Sequence, residues 1–315
     1  MWENKGQRPW WSIPHVGIMA KPFYDLTGFA YKKNISIVTS DMTNSAYFDI
    51  HEMALATKYF TVFYQDRKKT SSLLKSVRQR FRKAEQCETW AWKQVWSIKN
   101  SQRILKDIER MNVILWRELT CMFISQPQHV ISLEERITAL LEKYPNDNDM
   151  LREATYYPGI MPWTKEKTEL AKWRKQWTAL SREKQNKALN HLVQSYGWFN
   201  NIEGDRPFDR EHYRQEIETF HKEPAYTPQG LKISKDIRDI GQLIGELGYL
   251  RFWNRWHFMH LRYHIKMALT ELVKRSEQPD LEFATIDEVR KYYDGKKTNW
   301  KGIRARRKGY VSILK

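Results

Sequence analysis

The sequence predicts an all-α protein, a bundle of long helices with a minor N-terminal β-hairpin. Three observations carry that reading. From Phe29 to Gln126 the chain has neither glycine nor proline, the residues on which turn-rich β-domains depend. Beyond Leu73, apolar residues (Val77, Phe81, Ala84, Ala91, Val95, Ile98, Leu105, Ile108, Leu115, Leu119, Met122) recur at threes and fours or their sums, the period of one helix face. Helix-start signatures also recur, with Ser132-Leu-Glu-Glu135 and Thr285-Ile-Asp-Glu288 both reading as capping boxes.

Taken in order, Asn34–Val38 and Ala46–Ile50 are short, β-branched or aromatic, and separated by polar residues, so residues 35–50 read as a hairpin. The stripe from Leu73 to Met122 predicts one very long helix or two in line, interrupted by Glu88, Gln102 and Asn112. Ser132 and Thr164 are expected helix caps, and Ser234 opens a helix to about Arg275. The box at Thr285 starts a last helix, ended by Gly295. Residues 144–163, 197–207 and 224–230 hold most of the proline and glycine and read as irregular. The chain therefore divides into residues 1–50 (irregular segment and hairpin), 51–280 (helical bundle) and 281–315 (a basic helix and linker).

The 315 residues have a mean hydropathy of −0.74 and no apolar run long enough to span a bilayer, so no membrane partner is expected and a cytoplasmic location is. Cys87 and Cys121 make no disulfide framework and lack metal-binding spacing. Lys+Arg 54 against Asp+Glu 37 gives a net charge of +17. Residues 290–315 carry ten Lys/Arg against Asp294 alone, and residues 66–83 carry eight against Asp66 alone. Such blocks attract phosphates, nucleic acid or other anions, or they are solvated helix faces.

The helix after Ser234 holds the residues most suggestive of a site. Arg251, Arg255 and Arg262 fall within about 40° of one another on the helical wheel. Stacked guanidiniums repel unless carboxylates or an anion neutralise them. They are either struts tied to acids such as Glu246 and Glu271 or a site for a phosphate or carboxylate, which the guanidinium fork binds bidentately. His257, His260 and His264 share the opposite face with ligand-like spacing, but no HExxH and no cysteine joins them. They read as bundle histidines, and no metal is assigned. No GxSxG, GxGxxG or GxxxxGK[ST] occurs, so no catalytic residue is assigned and the chain reads as a binding or positioning unit.

Several passages, in order, resemble the PEP-utilising enzyme family of phosphoenolpyruvate synthase and rifampicin phosphotransferase. They are Trp2…Arg8-Pro9; His191…Ser195-Tyr-Gly-Trp198, followed by Gly204 and Pro207; Ile237-Arg238…Gly248-Tyr249-Leu250-Arg251…Arg255; and Leu281–Val289 with Ile303–Val311. The resemblance spans nearly the whole chain and implies the helical region that precedes the family's mobile phosphohistidine domain. It implies a phosphotransferase (a kinase-type transferase) in which ATP-grasp and phosphohistidine domains, in cis or in trans, supply the phosphoryl group. No ATP-grasp glycine loop and no GGxxSH-type passage is seen here, so no cofactor is expected in this chain, and ATP and magnesium only with those partner domains. Val311–Lys315 reads as the first strand of the mobile domain, which makes the chain a fragment or a stand-alone helical unit. The expected function is positioning of an acceptor and its anionic group, with Arg251, Arg255, Arg262 and Tyr249 as binding residues. The alternatives are a basic helical RNA- or DNA-binding protein and a non-catalytic scaffold.

Overall fold

A computed structural model describes residues 2–4, 21–32, 34–39, 44–119, 124, 127–144, 147–159, 161–198, 208–220 and 228–314. Arg8-Pro9, Cys121, Gly204 and Pro207 of the motifs above lie outside the described residues. The chain is mainly helical with a small sheet, as its sequence predicts.

The predicted hairpin forms from β2 (Asn34–Val38) and β3 (Asn44–Phe48), antiparallel, with Asn34 opposite Phe48. It is not alone. β1 (Trp2–Asn4) pairs with β3, and β4 (Tyr310–Leu314) pairs with β2, giving the order β1-β3-β2-β4. The C-terminal strand lies against β2, with Val38 opposite Tyr310 and Ile35 opposite Ile313. After α1 (Lys21–Thr27), Tyr31 links the sheet to the bundle. Its ring meets Phe48 at 5.3 Å, and its hydroxyl lies 2.6 Å from Nε2 of buried His129.

Two helices follow, α2 (Ile50–Phe63) and α3 (Arg67–Trp92). Asp49 and Asp66 cap them, each accepting from backbone amides of the first turn. The long stripe does not continue in line. α3 ends at Lys93, a 3₁₀ turn covers Trp96–Ile98, and α4 (Ser101–Glu118) runs back along α3, with Lys83 bonded to Glu118 at 3.2 Å. Without glycine or proline, that reversal is stabilised from outside. Arg275 donates to the turn's carbonyls at Trp96 (3.0 Å), Ser97 (2.9 Å) and Lys99.

α5 (Pro127–Leu141) starts earlier than its Ser132 signature suggests, because Pro127 pre-sets the first turn and Ser132 falls inside the helix. α7 (Pro162–Gln176) likewise starts at Pro162, ahead of Thr164. α6 (Asp147–Thr155) forms inside the stretch read as irregular, with Asp147 and Asp149 in its first turn. α7, α8 (Arg182–Tyr196) and α9 (Arg210–Thr219) enclose a second, smaller core around Leu189, Leu192, Tyr213 and Ile217.

The spine is α10 (Lys235–Ser276), which Ser234 caps as expected, its hydroxyl accepting from Ile237. It packs against α3, α4, α5 and α6. α6 crosses it where α10 has no side chains. A Cβ on Gly241 would fall 2.6 Å from Ala154, and one on Gly245 would overlap the carbonyl of Thr155. The capping box of α11 (Ile286–Tyr293) has both of its bonds, 2.8 and 3.2 Å. Gly295 ends it at φ 69°, and α12 (Trp300–Ala305) leads to β4.

Gly245→Ala should therefore cost about 1–3 kcal/mol through overpacking. Gly248→Ala, one turn on with open space around it, should be neutral or stabilise by up to about 1 kcal/mol through better helix propensity. Chemical denaturation of the two variants checks this, and equal effects would mean that α6 does not cross so closely.

Candidate functional site

The central turns of α10 present two different faces. Arg251 and Arg255 are exposed, one turn apart, and neither makes an ion pair among the described residues. The acids that could have tied them down are engaged elsewhere. Glu246 binds Arg78 of α3, and Glu271 accepts from Arg275 at 2.7 Å. Arg262 shares the helical-wheel position but not the environment. It is only 8 % exposed, about 10 Å further along the axis, inside the bundle. The structure therefore brings Arg251 and Arg255 together and sets Arg262 apart. Tyr249 lies beside them in sequence but on another face, its ring 4.5 Å from Tyr157.

The opposite face of α10 holds the three histidines, met by a carboxylate that the sequence signals only as a flaw in a stripe. Glu88 of α3 is buried, and its two oxygens take Nδ1 of His257 at 2.7 Å and Nδ1 of His260 at 3.2 Å. Both imidazoles therefore present Nδ1–H to the carboxylate. Nε2 of His260 meets Nε2 of His264 at 3.3 Å, so one carboxylate anchors three imidazoles in a chain. Rings enclose the chain. Trp198 stacks on His260 at 4.4 Å and 8°, Trp92 stands edge-on to His260 and His264, and Phe81 and Trp253 flank His257.

The electrostatics follow from burial and partners. Burial pushes the Glu88 carboxyl up, but the attraction and hydrogen bond of His257, with those of His260, outweigh it and hold the group below the usual carboxylate range. Burial, with the nearby charge of His260, pushes His264 down to about 3, so it stays neutral across the physiological range. Burial raises the neighbouring Cys87 thiol to about 11, which makes it unreactive. Among the described residues no group of three or more His, Cys, Asp or Glu side chains is arranged to hold a metal, and no helix is long and apolar enough to cross a membrane.

A second perturbed carboxylate sits in the smaller core. Burial raises Glu166 to about 7, partly offset by the hydroxyl of Tyr213, which donates to it at 2.8 Å. Glu169 accepts from Tyr196 at 3.0 Å and pairs with His191 at 2.7 Å. His191 and Tyr196 of the resembled motif are thereby placed in one hydrogen-bonded group. Glu169 was not singled out in the sequence; its one signal is its position in α7 beneath the α8 motif.

The two carboxylates act on stability in opposite directions. Glu88 and neutral His264 have lowered folded pKa values, so they stabilise above the unfolded values and that stability is lost as pH falls below about 6.5 for His264 and about 4.3 for Glu88. Glu166 is raised, so its contribution is complete below about 4.3 and is lost as pH rises through 7. Glu88→Gln should cost about 3 kcal/mol at pH 7 and progressively less as the pH falls to 4 and below. Glu166→Gln should match the wild type at pH 4.5 and melt higher at pH 8. Melting curves of both variants from pH 4 to 8 check the assignment; pH-independent differences would contradict it. Comparison with protein-family models, with curated proteins and with solved structures finds no match for this chain.

Proposed function

We propose that this chain is the acceptor-positioning helical part of a PEP-utilising-type phosphotransferase, a cytoplasmic unit that works with ATP-grasp and phosphohistidine domains in cis or in trans. Its own residues bind and orient; the phosphoryl donor belongs to the partner domains. The observation that carries the proposal is the pair Arg251 and Arg255. Both are exposed, adjacent on a rigid helix and without an acid partner among the described residues, while Glu246 and Glu271 are engaged with other arginines. Phosphoryl transfer asks for positive groups fixed around a site of developing negative charge, and such groups act best when their scaffold does not move. They also stand in the YLR…R passage on which the family resemblance rests.

The nucleic-acid reading draws less support from the same structure, because several cations of the basic blocks are paired with acids within the fold. In the first, Arg67 pairs with Asp239, Arg78 with Glu246 and Lys83 with Glu118. In the second, Arg290 binds Glu109, Arg304 and Arg307 share Asp280, and Arg306 binds Glu288. Cations neutralised by acids release few counterions to a polyanion.

Thermal denaturation with phosphate or phosphoenolpyruvate tests the proposal. The wild type should gain stability with anion concentration, about 1.4 kcal/mol for each tenfold increase above Kd. Arg255→Gln should reduce that gain and leave the anion-free midpoint unchanged within about 2 °C, since a surface substitution costs little. An anion-free midpoint many degrees lower, with no anion effect on the wild type, would make the arginines struts and overturn the proposal.

A further inference from the structure

A second concentration of arginine lies in the smaller core, away from α10. The turn Trp177–Ala179, the start of α8 and one side of α9 enclose a groove of about 740 Å³. Three guanidiniums line it, from Arg182, Arg210 and Arg214. Arg182 is the first residue of α8 and Arg210 the first of α9. Both cations thus sit where the helix macrodipole is already positive, which is the unfavourable end for them. Two helix starts and three guanidiniums raise the potential of one concavity together, and among the described residues only Arg214 of the three has an acid partner. The nearby acids are engaged. Asp209 caps α9 through the His212 amide at 2.9 Å, Glu183 pairs with Lys187 at 2.8 Å, and Glu211 pairs with Arg214 at 3.2 Å. Glu218, the one carboxylate on the groove wall, accepts from the indole of Trp177 at 3.4 Å. Arg182 and Arg210 have no acid partner among the described residues.

We propose that this groove binds a small phosphate-bearing ligand, with Arg182 and Arg210 as the principal contacts and Arg214 as the third. A phosphate group matches the surplus because it carries close to two charges at neutral pH and presents paired oxygens to each guanidinium fork. Gln185, whose side-chain amide donates to the Trp177 carbonyl at 2.9 Å, fixes the groove wall independently of any ligand. The surrounding charge selects a small ligand over a polynucleotide. The α9 helix also carries Glu211, Glu216 and Glu218, which repel an extended polyanion laid along it.

The site is independent of the α10 arginines, and its test is arranged to show that. Pyrophosphate is titrated calorimetrically into the 315-residue Arg251→Gln/Arg255→Gln chain, in which the α10 pair cannot contribute. Binding should persist there and weaken at least tenfold when Arg182→Gln and Arg210→Gln are added, with the anion-free melting point unchanged. Arg182→Lys/Arg210→Lys, which keeps charge but loses the fork, should bind with intermediate affinity and serves as the second variant if the Gln forms melt early. Absence of pyrophosphate binding in the parent, or binding that survives both Arg182 and Arg210 substitutions, would overturn the proposal. Salt-sensitive retention of single-stranded RNA that depends on these two arginines, without pyrophosphate binding, would also overturn it in favour of a polynucleotide surface.

Discussion

A continuous 42-residue helix, about 63 Å long, is the element on which the other parts of this protein are assembled. Helix propensity alone does not keep such a length straight in water; tertiary contacts do. α10 acquires different contacts along its length. Near its start, Gly241 and Gly245 let the backbone of α6 approach closely. In the middle, Glu88 of α3 holds its histidines, and Trp116 of α4 stands edge-on to Phe258 at 5.7 Å. Near its end, Arg275 gathers the carbonyls of the α3–α4 turn. The helix thus positions the α3–α4 hairpin at both its middle and its end.

The same helix separates two kinds of charge. On the buried side a carboxylate is compensated by imidazoles in a nearly dry setting, where an unpaired charge would be costly. On the open side Arg251 and Arg255 stand without an acid partner among the described residues. Buried compensation makes the helix stiff, and a stiff helix holds exposed guanidiniums at fixed spacing, which is what recognition of an anion needs. The smaller core of α7, α8 and α9 meets α10 through Trp256, whose ring lies 6.4 Å from that of Tyr196.

Local signals were legible in the sequence, and pairings between distant residues were not. The caps at Ser234 and Thr285, the extent of α10 and the β2–β3 hairpin depend on neighbouring residues and could be read directly. The reversal between α3 and α4 could not, because Lys93–Asn100 contains neither glycine nor proline and is held by Arg275, far along the chain. β1 escaped notice, and β4 was read as a strand without its pairing to β2, because so short a strand shows its place only in its partner. Glu88 read as an interruption for the same reason; its meaning lies in His257 and His260. Of the candidate site, the arginine spacing was legible, but the withdrawal of Arg262 into the core was not, since a helical wheel ignores what packs against each turn.

The central claim is that the middle of α10 is the most rigid part of the molecule and holds both its faces in register. Native-state hydrogen exchange of the described helices measures this directly, because each amide reports the free energy of the opening that exposes it. The account predicts that amides from Leu250 to Ile265 exchange only through global unfolding, at least as slowly as any in α3 or α4. Exchange of that segment through a sub-global opening, while α3 and α4 stay protected, would contradict it.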